Sequence, residues 1–302
     1  MAPGASTRKG DLGALCFSLL LLTVPVSFVL GATERGMKPD LAATIAIAIT
    51  TPLFLIGERL WPYYPEWQRS RGDTRTDALY ALVLTPPLGA LLTTSLSLLF
   101  LGTFGPPRRA LAHGVWPHTW PILLQALFIG LITDFANYWW HRLSHERPFL
   151  WRLHAIHHTV DRVYFLNAYR FHPLDSAISY FVMYGPILAL GASIDAIAVY
   201  TVFDFLFGSL QHANINVKLG PLNWILAGPE LHRWHHAKDP SEGNRNYGNT
   251  WIVWDIVFGT RFHPEDRVLG ANDAGFADMD RYPKGILGQL AAPFRSLEQP
   301  RT

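Results

Sequence analysis

Three clusters of histidines constrain this chain more than any other feature. They are His141-x-x-x-His145, His154-x-x-His157-His158 and His232-x-x-His235-His236, and the last two repeat one spacing. On a helix, residues three and four positions apart lie on one face, so each cluster directs two or three imidazoles toward one point. Neutral imidazole is the commonest metal ligand in proteins. The clusters therefore predict a metal centre at which three segments of the chain meet.

The composition favours a membrane protein. Hydrophobic residues make up 49% and charged residues 16% of the 302 residues, and the mean hydropathy is +0.13. A soluble fold with buried apolar runs is the weaker alternative. The formal net charge is only +2 with scattered Lys and Arg, so no nucleic-acid partner is expected. The single cysteine, Cys16, excludes an internal disulfide and a thiolate metal site, so nitrogen or oxygen must hold any metal.

Four apolar segments are long enough to cross a bilayer, which takes about 20 residues. The first, Leu12–Gly31, could be taken for a signal peptide, but its length favours a retained span. The others are Leu41–Leu60, Ala78–Phe104 and Trp120–Trp140, with a kink predicted at Pro86-Pro87. The loop from Arg59 to Arg75 is rich in arginine, which the positive-inside rule places in the cytoplasm. Four crossings then return the chain to the cytoplasm at His141.

The apolar segment Ser176–Leu210 separates the second and third histidine clusters. One full crossing would place His158 and His236 on opposite sides of the bilayer. The segment has 35 residues, slightly short for two spans, and Gly185-Pro186 and Gly191 interrupt it. We therefore expect a shallow helical hairpin that re-enters and exits on the cytoplasmic face.

These patterns predict an all-α fold. It is a polytopic membrane helical bundle of about four spans plus the re-entrant hairpin, with a cytoplasmic histidine-rich helical cap that begins near Asn214. We expect residues 1–118 to form the N-terminal spans, 119–264 the catalytic domain and 265–302 a loop-rich tail.

The number of clustered histidines indicates two metal ions, since a single zinc needs only four ligands, or three if it is catalytic. Neither H-x-x-H-H copy carries the glutamate of the zinc-protease motif H-E-x-x-H, because Ala155-Ile156 and Arg233-Trp234 stand between the histidines. Oxygen activation by two irons is therefore favoured over zinc hydrolysis. The isolated histidines, His113, His118 and His263, are interpreted as ordinary residues.

The surrounding motifs resemble the fatty acid hydroxylase / sterol desaturase superfamily. The resemblance covers roughly Trp120–Phe262 and rests on Asp134-x-x-Asn-Tyr-Trp-Trp-His141-Arg-x-x-His145, Trp151-Arg-x-His154-x-x-His157-His158, Gln211-His212-x-Asn214, His232-Arg-x-His235-His236, Asn246-Tyr-Gly248 and Trp254-Asp-x-x-Phe-Gly-Thr260. It implies a membrane-embedded di-iron enzyme that uses O2 and two electrons to hydroxylate or desaturate a lipid C–H position.

The resemblance also implies the site residues. The catalytic metal ligands would be His141, His145, His154, His157, His158, His212, His232, His235 and His236, with His172 of the Arg170-Phe-His-Pro stretch as a further candidate. A ligating histidine normally donates its second N–H to a carboxylate or carbonyl. Asp134 and Asn137, one or two turns before His141, are expected to support the ligands in this way, and Asp255 more weakly.

Electrons are expected from a separate protein such as a ferredoxin, a cytochrome b5-like protein or a reductase. The chain has no C-x-x-C-H motif, no ferredoxin-like cysteines and no G-x-G-x-x-G motif. Hydroxylation is favoured because desaturation requires a second, controlled hydrogen abstraction. A sterol, a fatty acyl chain, a carotenoid and a polar lipid head group stay open as substrates. The alternative class is a non-enzymatic metal-binding membrane protein or carrier, but the first three spans lack the polar path that a carrier needs.

Overall fold

The computed structural model describes residues 8–103, 115–277 and 279–295. The predicted end of the third span at Phe104, the isolated His113 and the last seven residues of the predicted tail lie outside the described residues. Within these ranges the chain is helical, and the only β pairing is in isolated bridges such as that between Leu226 and Trp251. The predicted all-α class is confirmed.

The first spans are long apolar helices. Helix α1 is Arg8–Glu34 and α2 is Pro39–Leu60. The next span begins with α3, Thr74–Leu79, continues through a π-helical turn at Tyr80–Leu84, and ends in α4, Thr85–Thr103. Pro86 and Pro87 lie in the first turn of α4. They have no N–H to offer the carbonyls four residues earlier, so the helix widens one turn before the predicted kink.

The next two helices carry the first two histidine clusters. Helix α5 is Ile122–Glu146, six residues longer than the predicted span at its C-terminal end, so it includes His141 and His145. A single extended residue, Arg147, separates it from α6, Pro148–His158. The proline at the start of α6 suits a first helical turn, where no amide donor is needed.

The predicted hairpin consists of α7, Pro173–Ala189, and α8, Ile194–His212. The turn lies at Gly191, where φ is +79°, and Ser193 caps α8 by accepting a hydrogen bond from the amide of Ala196. Gly185 and Pro186 stay inside α7 and do not break it. Of the two hairpin helices, α8 has the length and composition to cross a membrane, whereas α7 has only 17 residues and is not among the candidate spans.

Five helical segments of the described residues are long and apolar enough to span a membrane: Gly10–Glu34, Pro39–Leu60, Thr74–Leu96, Ile122–Glu146 and Ile194–His212. The last is the most enclosed, with 56% of its apolar window buried inside the protein against 19–39% for the others. Helix α8 packs against α1, α2 and α5 and forms the centre of the bundle. These helices identify an integral membrane protein.

The histidine-bearing helix ends and the start of α1 lie at one end of the bundle. Asp11 at the start of α1 accepts hydrogen bonds from Asn216 and Lys218, which follow α8. The end of α2 reaches the same place, since the Glu58 carboxylate accepts hydrogen bonds from the amides of Phe165 and Asn214. The helical passes therefore alternate in direction, and the hairpin returns to the end at which it started.

The cap covers this end of the bundle. It contains α9, Pro229–His235, followed by the short helices α10, Pro240–Gly243, α11, Val253–Val257, and α12, Ile286–Ala291. The C-terminal part is not a free tail: the hydroxyl of Tyr64 donates to the carbonyl of Leu269 and the indole of Trp67 donates to that of Ala271.

Replacing Glu58 with alanine is expected to destabilise the bundle. One carboxylate oxygen accepts two buried amide hydrogen bonds, at 2.7 Å from Phe165 and 2.8 Å from Asn214. Leaving both N–H groups without an acceptor costs about 3 kcal/mol. Thermal melting of the purified protein in detergent should show a clear loss for Glu58→Ala and a much smaller one for Glu58→Gln, which keeps a carbonyl oxygen. Equal melting temperatures for the wild type and Glu58→Ala would contradict the assignment.

Candidate metal centre

The ends of four helices bring nine histidines together. Helix α5 supplies two in its last turns, α6 supplies three, and α8 ends on His212. Helix α9 supplies His232 and His235, and His236 follows it directly. Each contribution comes from a helix end, where the one-face spacing of the sequence aims the rings at a common point.

The nine imidazoles divide into two groups whose ring nitrogens lie within 4.8 Å of one another. The first group, here called site 1, contains His141, His145, His154, His158 and His235; the second, site 2, contains His157, His212, His232 and His236. The sites adjoin, since the rings of His158 and His236 are 4.5 Å apart between centroids. All nine side chains belong to the predicted ligand set.

The free nitrogens of site 1 fit a metal ion. All five of its histidines leave Nε2 buried without a hydrogen-bond partner. A buried polar atom without a partner costs free energy, so five such nitrogens grouped together suit coordination of a metal ion. Nitrogen-only coordination agrees with the absence of further cysteines.

In four of these rings the other nitrogen, Nδ1, is held by a hydrogen bond. Nδ1 of His141 donates to the carbonyl of Tyr247 at 2.9 Å, and Nδ1 of His235 to that of Arg245 at 2.8 Å. Nδ1 of His145 donates to Asn244, and Nδ1 of His154 to Asp175, each at 2.9 Å. These acceptors fix the tautomer and leave Nε2 free to bind a metal ion.

In site 2 the Nε2 atoms of three histidines lie close together. Nε2 of His232 lies 2.8 Å from Nε2 of His212 and 3.2 Å from Nε2 of His236. Two nitrogens that each bind one ion at about 2.1 Å lie roughly 3 Å apart, so these separations suit shared coordination. Asn167 accepts the Nδ1 hydrogen of His212 at 2.9 Å and orients that ring.

The histidines of α6 and α9 that titrate below the ordinary range are neutral and free to ligate at physiological pH. Burial lowers the pKa of His157, His158, His235 and His236 well below the ordinary value, and neighbouring histidines lower it further. Burial, with His141 and Arg233 nearby, lowers the pKa of His232 to about 3.

The predicted supporting residues act differently from expectation. Asp134 contacts no histidine; its carboxylate accepts hydrogen bonds from the amides of Thr250 at 2.6 Å and Trp251 at 3.2 Å. The side-chain oxygen of Asn137 accepts a hydrogen bond from the hydroxyl of Ser179 at 3.4 Å. Both lie a turn or more below the ligand nitrogens, too far along the helix for the direct role predicted for them.

Asp255 supports a ligand through the backbone. It accepts hydrogen bonds from the amides of Tyr247 and Gly248, at 2.8 and 2.7 Å, and from the hydroxyl of Thr260. The carbonyl of Tyr247 in turn receives the His141 N–H. Burial raises the pKa of Asp255. Its role is to fix the backbone turn on which His141 depends.

His172 lies outside both sites. Its Nδ1 accepts a hydrogen bond from the amide of Leu174 and so caps the start of α7, while its Nε2 lies 3.2 Å from the carbonyl of Leu290. Both ring nitrogens have partners in the protein. The residue therefore joins the hairpin to the C-terminal segment, and we do not assign it as a ligand.

Three polar residues that hold ligands were missed from the sequence. Asp175 binds His154 and also accepts from the indole of Trp140 at 3.0 Å, whereas Asn167 and Asn244 hold His212 and His145. Asp175 lies three residues after His172, two residues beyond the Arg170-Phe-His-Pro stretch that the sequence analysis identified. Asn167 and Asn244 lie 45 and 99 residues from their histidines, and no sequence spacing indicated either pairing.

The fold and the site together define an integral membrane protein with a buried, histidine-rich candidate metal site. Residues 126–260 match the fatty acid hydroxylase family model. Over 247 residues the chain is 35% identical to the ornithine lipid hydroxylase OlsE of Rhizobium tropici, an alignment that covers 81% of this chain and 73% of that protein. Alkylglycerol monooxygenases of Xenopus tropicalis and Homo sapiens are 34% and 35% identical over 51% of this chain, and 33% of each is covered.

This chain belongs to the fatty acid hydroxylase superfamily. The predicted family and enzyme class are confirmed, and they are favoured over a non-enzymatic metal carrier. No solved structure matches the chain.

Removing the Asp175 carboxylate is expected to weaken metal binding at site 1. Loss of an acceptor behind a ligating histidine typically lowers metal affinity about 10–100-fold. Titration of the metal-free protein with Zn²⁺ as a redox-inert probe should show this loss for Asp175→Ala. Asp161→Ala removes a partly exposed surface carboxylate that pairs with Arg71, and it should leave the affinity unchanged. Unchanged affinity in Asp175→Ala would remove Asp175 from the site.

Acidification should destabilise the metal-free protein. The folded state holds His232 and its neighbours neutral, with the pKa of His232 near 3, whereas the unfolded chain protonates histidine at about 6.5. The unfolded state therefore binds more protons below about pH 6.5, and stability is lost as the pH falls. Melting temperatures at pH 7.5 and 5 should differ in this direction, and less so in His232→Gln. A higher melting temperature at pH 5 would refute the burial of neutral rings.

Proposed function

We propose that this chain hydroxylates a membrane lipid with O2, using two iron ions held by sites 1 and 2. The observation that carries the proposal is the pair of adjoining buried sites, nine imidazoles in all, with the ligand nitrogens of site 1 unpartnered. Imidazole nitrogen suits iron, and nine ligands exceed the needs of one ion. Residues 119–264 form the catalytic region, and residues 1–118 and the tail support it.

The two irons, when bound, supply the chemistry that activates O2 for C–H oxidation. One oxygen atom enters a C–H bond of the lipid and the other leaves as water, which consumes two electrons and two protons. The electrons come from a separate donor protein, a ferredoxin, a cytochrome b5-like protein or a reductase.

The protein orients the ligands and excludes water from them. Carbonyl and side-chain acceptors fix the rings of site 1, as described above. The ring of Phe171 stacks on His157 with centroids 4.2 Å apart, and Trp151 lies 5.0 Å from His145 and 5.4 Å from His158. Rigid apolar surroundings of this kind keep a reactive centre dry and pre-organised.

The position of the sites favours a substrate oxidised near its polar end. The ligand histidines lie in the last turns of α5 and at the last residue of α8, beyond the apolar parts of both spans. Trp139 and Trp140, directly before His141, are residue types enriched at the membrane–water interface. These features support a centre at the level of the lipid head groups, and the arginine-rich loop favours the cytoplasmic face.

An ornithine-containing lipid is the first candidate substrate. The similarity to the ornithine lipid hydroxylase extends over 81% of the chain, whereas similarity to alkylglycerol monooxygenases covers 51%. The second candidate is an alkylglycerol ether lipid, because alkylglycerol monooxygenases are 34% and 35% identical to this chain over that half.

Lipid analysis with isotopic labelling tests the function. Cells that express the chain under ¹⁸O2 should accumulate a lipid one labelled oxygen heavier than in cells without it, and fragmentation should place that oxygen in an ornithine head group or an alkylglycerol. His157→Ala should abolish the product, and His263→Ala, outside both sites, should not. Purified protein should contain two irons per chain. One zinc per chain with no O2 consumption under reducing conditions would overturn the proposal.

A further inference from the structure

One edge of the cap exposes a group of large apolar side chains. They are Leu222, Trp224 and Ile225 with 40%, 61% and 52% of their surface exposed, and Ile256 and Val257 with 41% and 61%. The two segments lie side by side, because Leu226 pairs with Trp251 in a β-bridge and the amide of Ile252 donates to the carbonyl of Ile225 at 3.1 Å. The exposed residues therefore form one patch, here called the apolar edge.

The apolar edge lies beside α5 and below the histidines. Asp134 binds the amides of Thr250 and Trp251, and it is seven residues, about 10 Å along the helix, before His141. The indole of Trp254 packs on Phe135 with ring centroids 4.7 Å apart. After the last span, the chain therefore runs back along the outer surface of α5, away from the histidines.

The lipid-facing stripe of α5 continues into the apolar edge. Phe135 stays 41% exposed although Trp254 covers part of it, and Leu131 and Leu127 follow on the same helical face, 41% and 47% exposed. A soluble surface rarely carries so many large apolar residues together, and these adjoin the exposed apolar face of a candidate membrane span.

A cation at the border of the edge suits the membrane surface. The guanidinium of Arg261 stacks on the ring of Trp224, with its central carbon 3.8 Å from the ring centroid, and one of its nitrogens donates to the carbonyl of Asn223. Tryptophan prefers the level of the lipid head groups, and arginine beside it reaches their phosphates.

We propose that the apolar edge inserts into the lipid bilayer, so that the cap is anchored in the membrane by its own surface as well as by the spans. The partner is the head-group and upper acyl region of the leaflet that surrounds α5. The inserted depth of about 5–10 Å is that of interfacial anchors in other membrane proteins.

Single cysteines carrying an environment-sensitive fluorophore test the insertion. In a Cys16→Ala background, Trp224→Cys and Val257→Cys report the two segments of the edge. Leu131→Cys is the lipid-exposed control and Asp239→Cys, on the exposed start of α10, is the aqueous control. The labelled full-length proteins are reconstituted into vesicles of phosphatidylcholine and phosphatidylglycerol, and metal content confirms the fold of each.

Insertion predicts that the labels at 224 and 257 are quenched several-fold more by lipids with a shallow nitroxide than the label at 239, and several-fold less by aqueous iodide. Their emission should approach that of the label at 131. If the labels at 224 and 257 behave like the one at 239, the edge is not in lipid and the proposal fails. Ile225→Cys and Ile256→Cys replace either reporter if its variant loses metal.

Discussion

The buried, unpartnered ring nitrogens of the histidines are the constraint on which the rest of the structure depends. Seven of the nine ligand histidines have a ring nitrogen buried without a hydrogen-bond partner. At about 1–3 kcal/mol for each, the cost is on the order of 10 kcal/mol, which is comparable to the whole stability of a domain. Under the proposed function, bound metal ions offset this cost. Metal binding would then stabilise this end of the bundle in addition to its role in the reaction.

The same constraint explains the topology of the hairpin. Site 2 combines His157 of α6, His212 of α8 and His232 of α9, so α8 must end where α6 ends. Only an even number of passes between α6 and α9 satisfies this, and α7 and α8 are those two passes. The need for the histidines to meet predicted this return from sequence, whereas the turn itself follows from local chemistry at Gly191 rather than at the glycine–proline pair before it.

The ligands could be read from sequence more easily than the groups that hold them. Helical spacing and motif order pointed to the nine histidines because both are local properties of the chain. Asp175, Asn167 and the carbonyl of Tyr247 face their histidines across loops that the fold brings together, and no local pattern encodes those meetings. For Asp134 the position was predicted correctly and the partner was not. It lies on the same helical face as His141, two turns before it, but its carboxylate accepts hydrogen bonds from the nearest donors. These are the amides of Thr250 and Trp251, in the segment that runs beside α5.

That segment links the metal centre to the membrane-facing surface of α5. Between Asn244 and Asp255 it holds His145, His235 and His141 through a side chain and two carbonyls, and Asp255 braces the last of these. Farther along, Asp134 and Phe135 fasten it to the span. A displacement of the segment relative to α5 would move three ligands of site 1 together. It would act on site 2 indirectly, through the hydrogen bond that Gln211, next to His212, donates to the carbonyl of Asn249. The geometry of site 1 is therefore coupled to the packing of the cap against the membrane helix, whereas site 2 depends on the contacts between α6, α8 and α9.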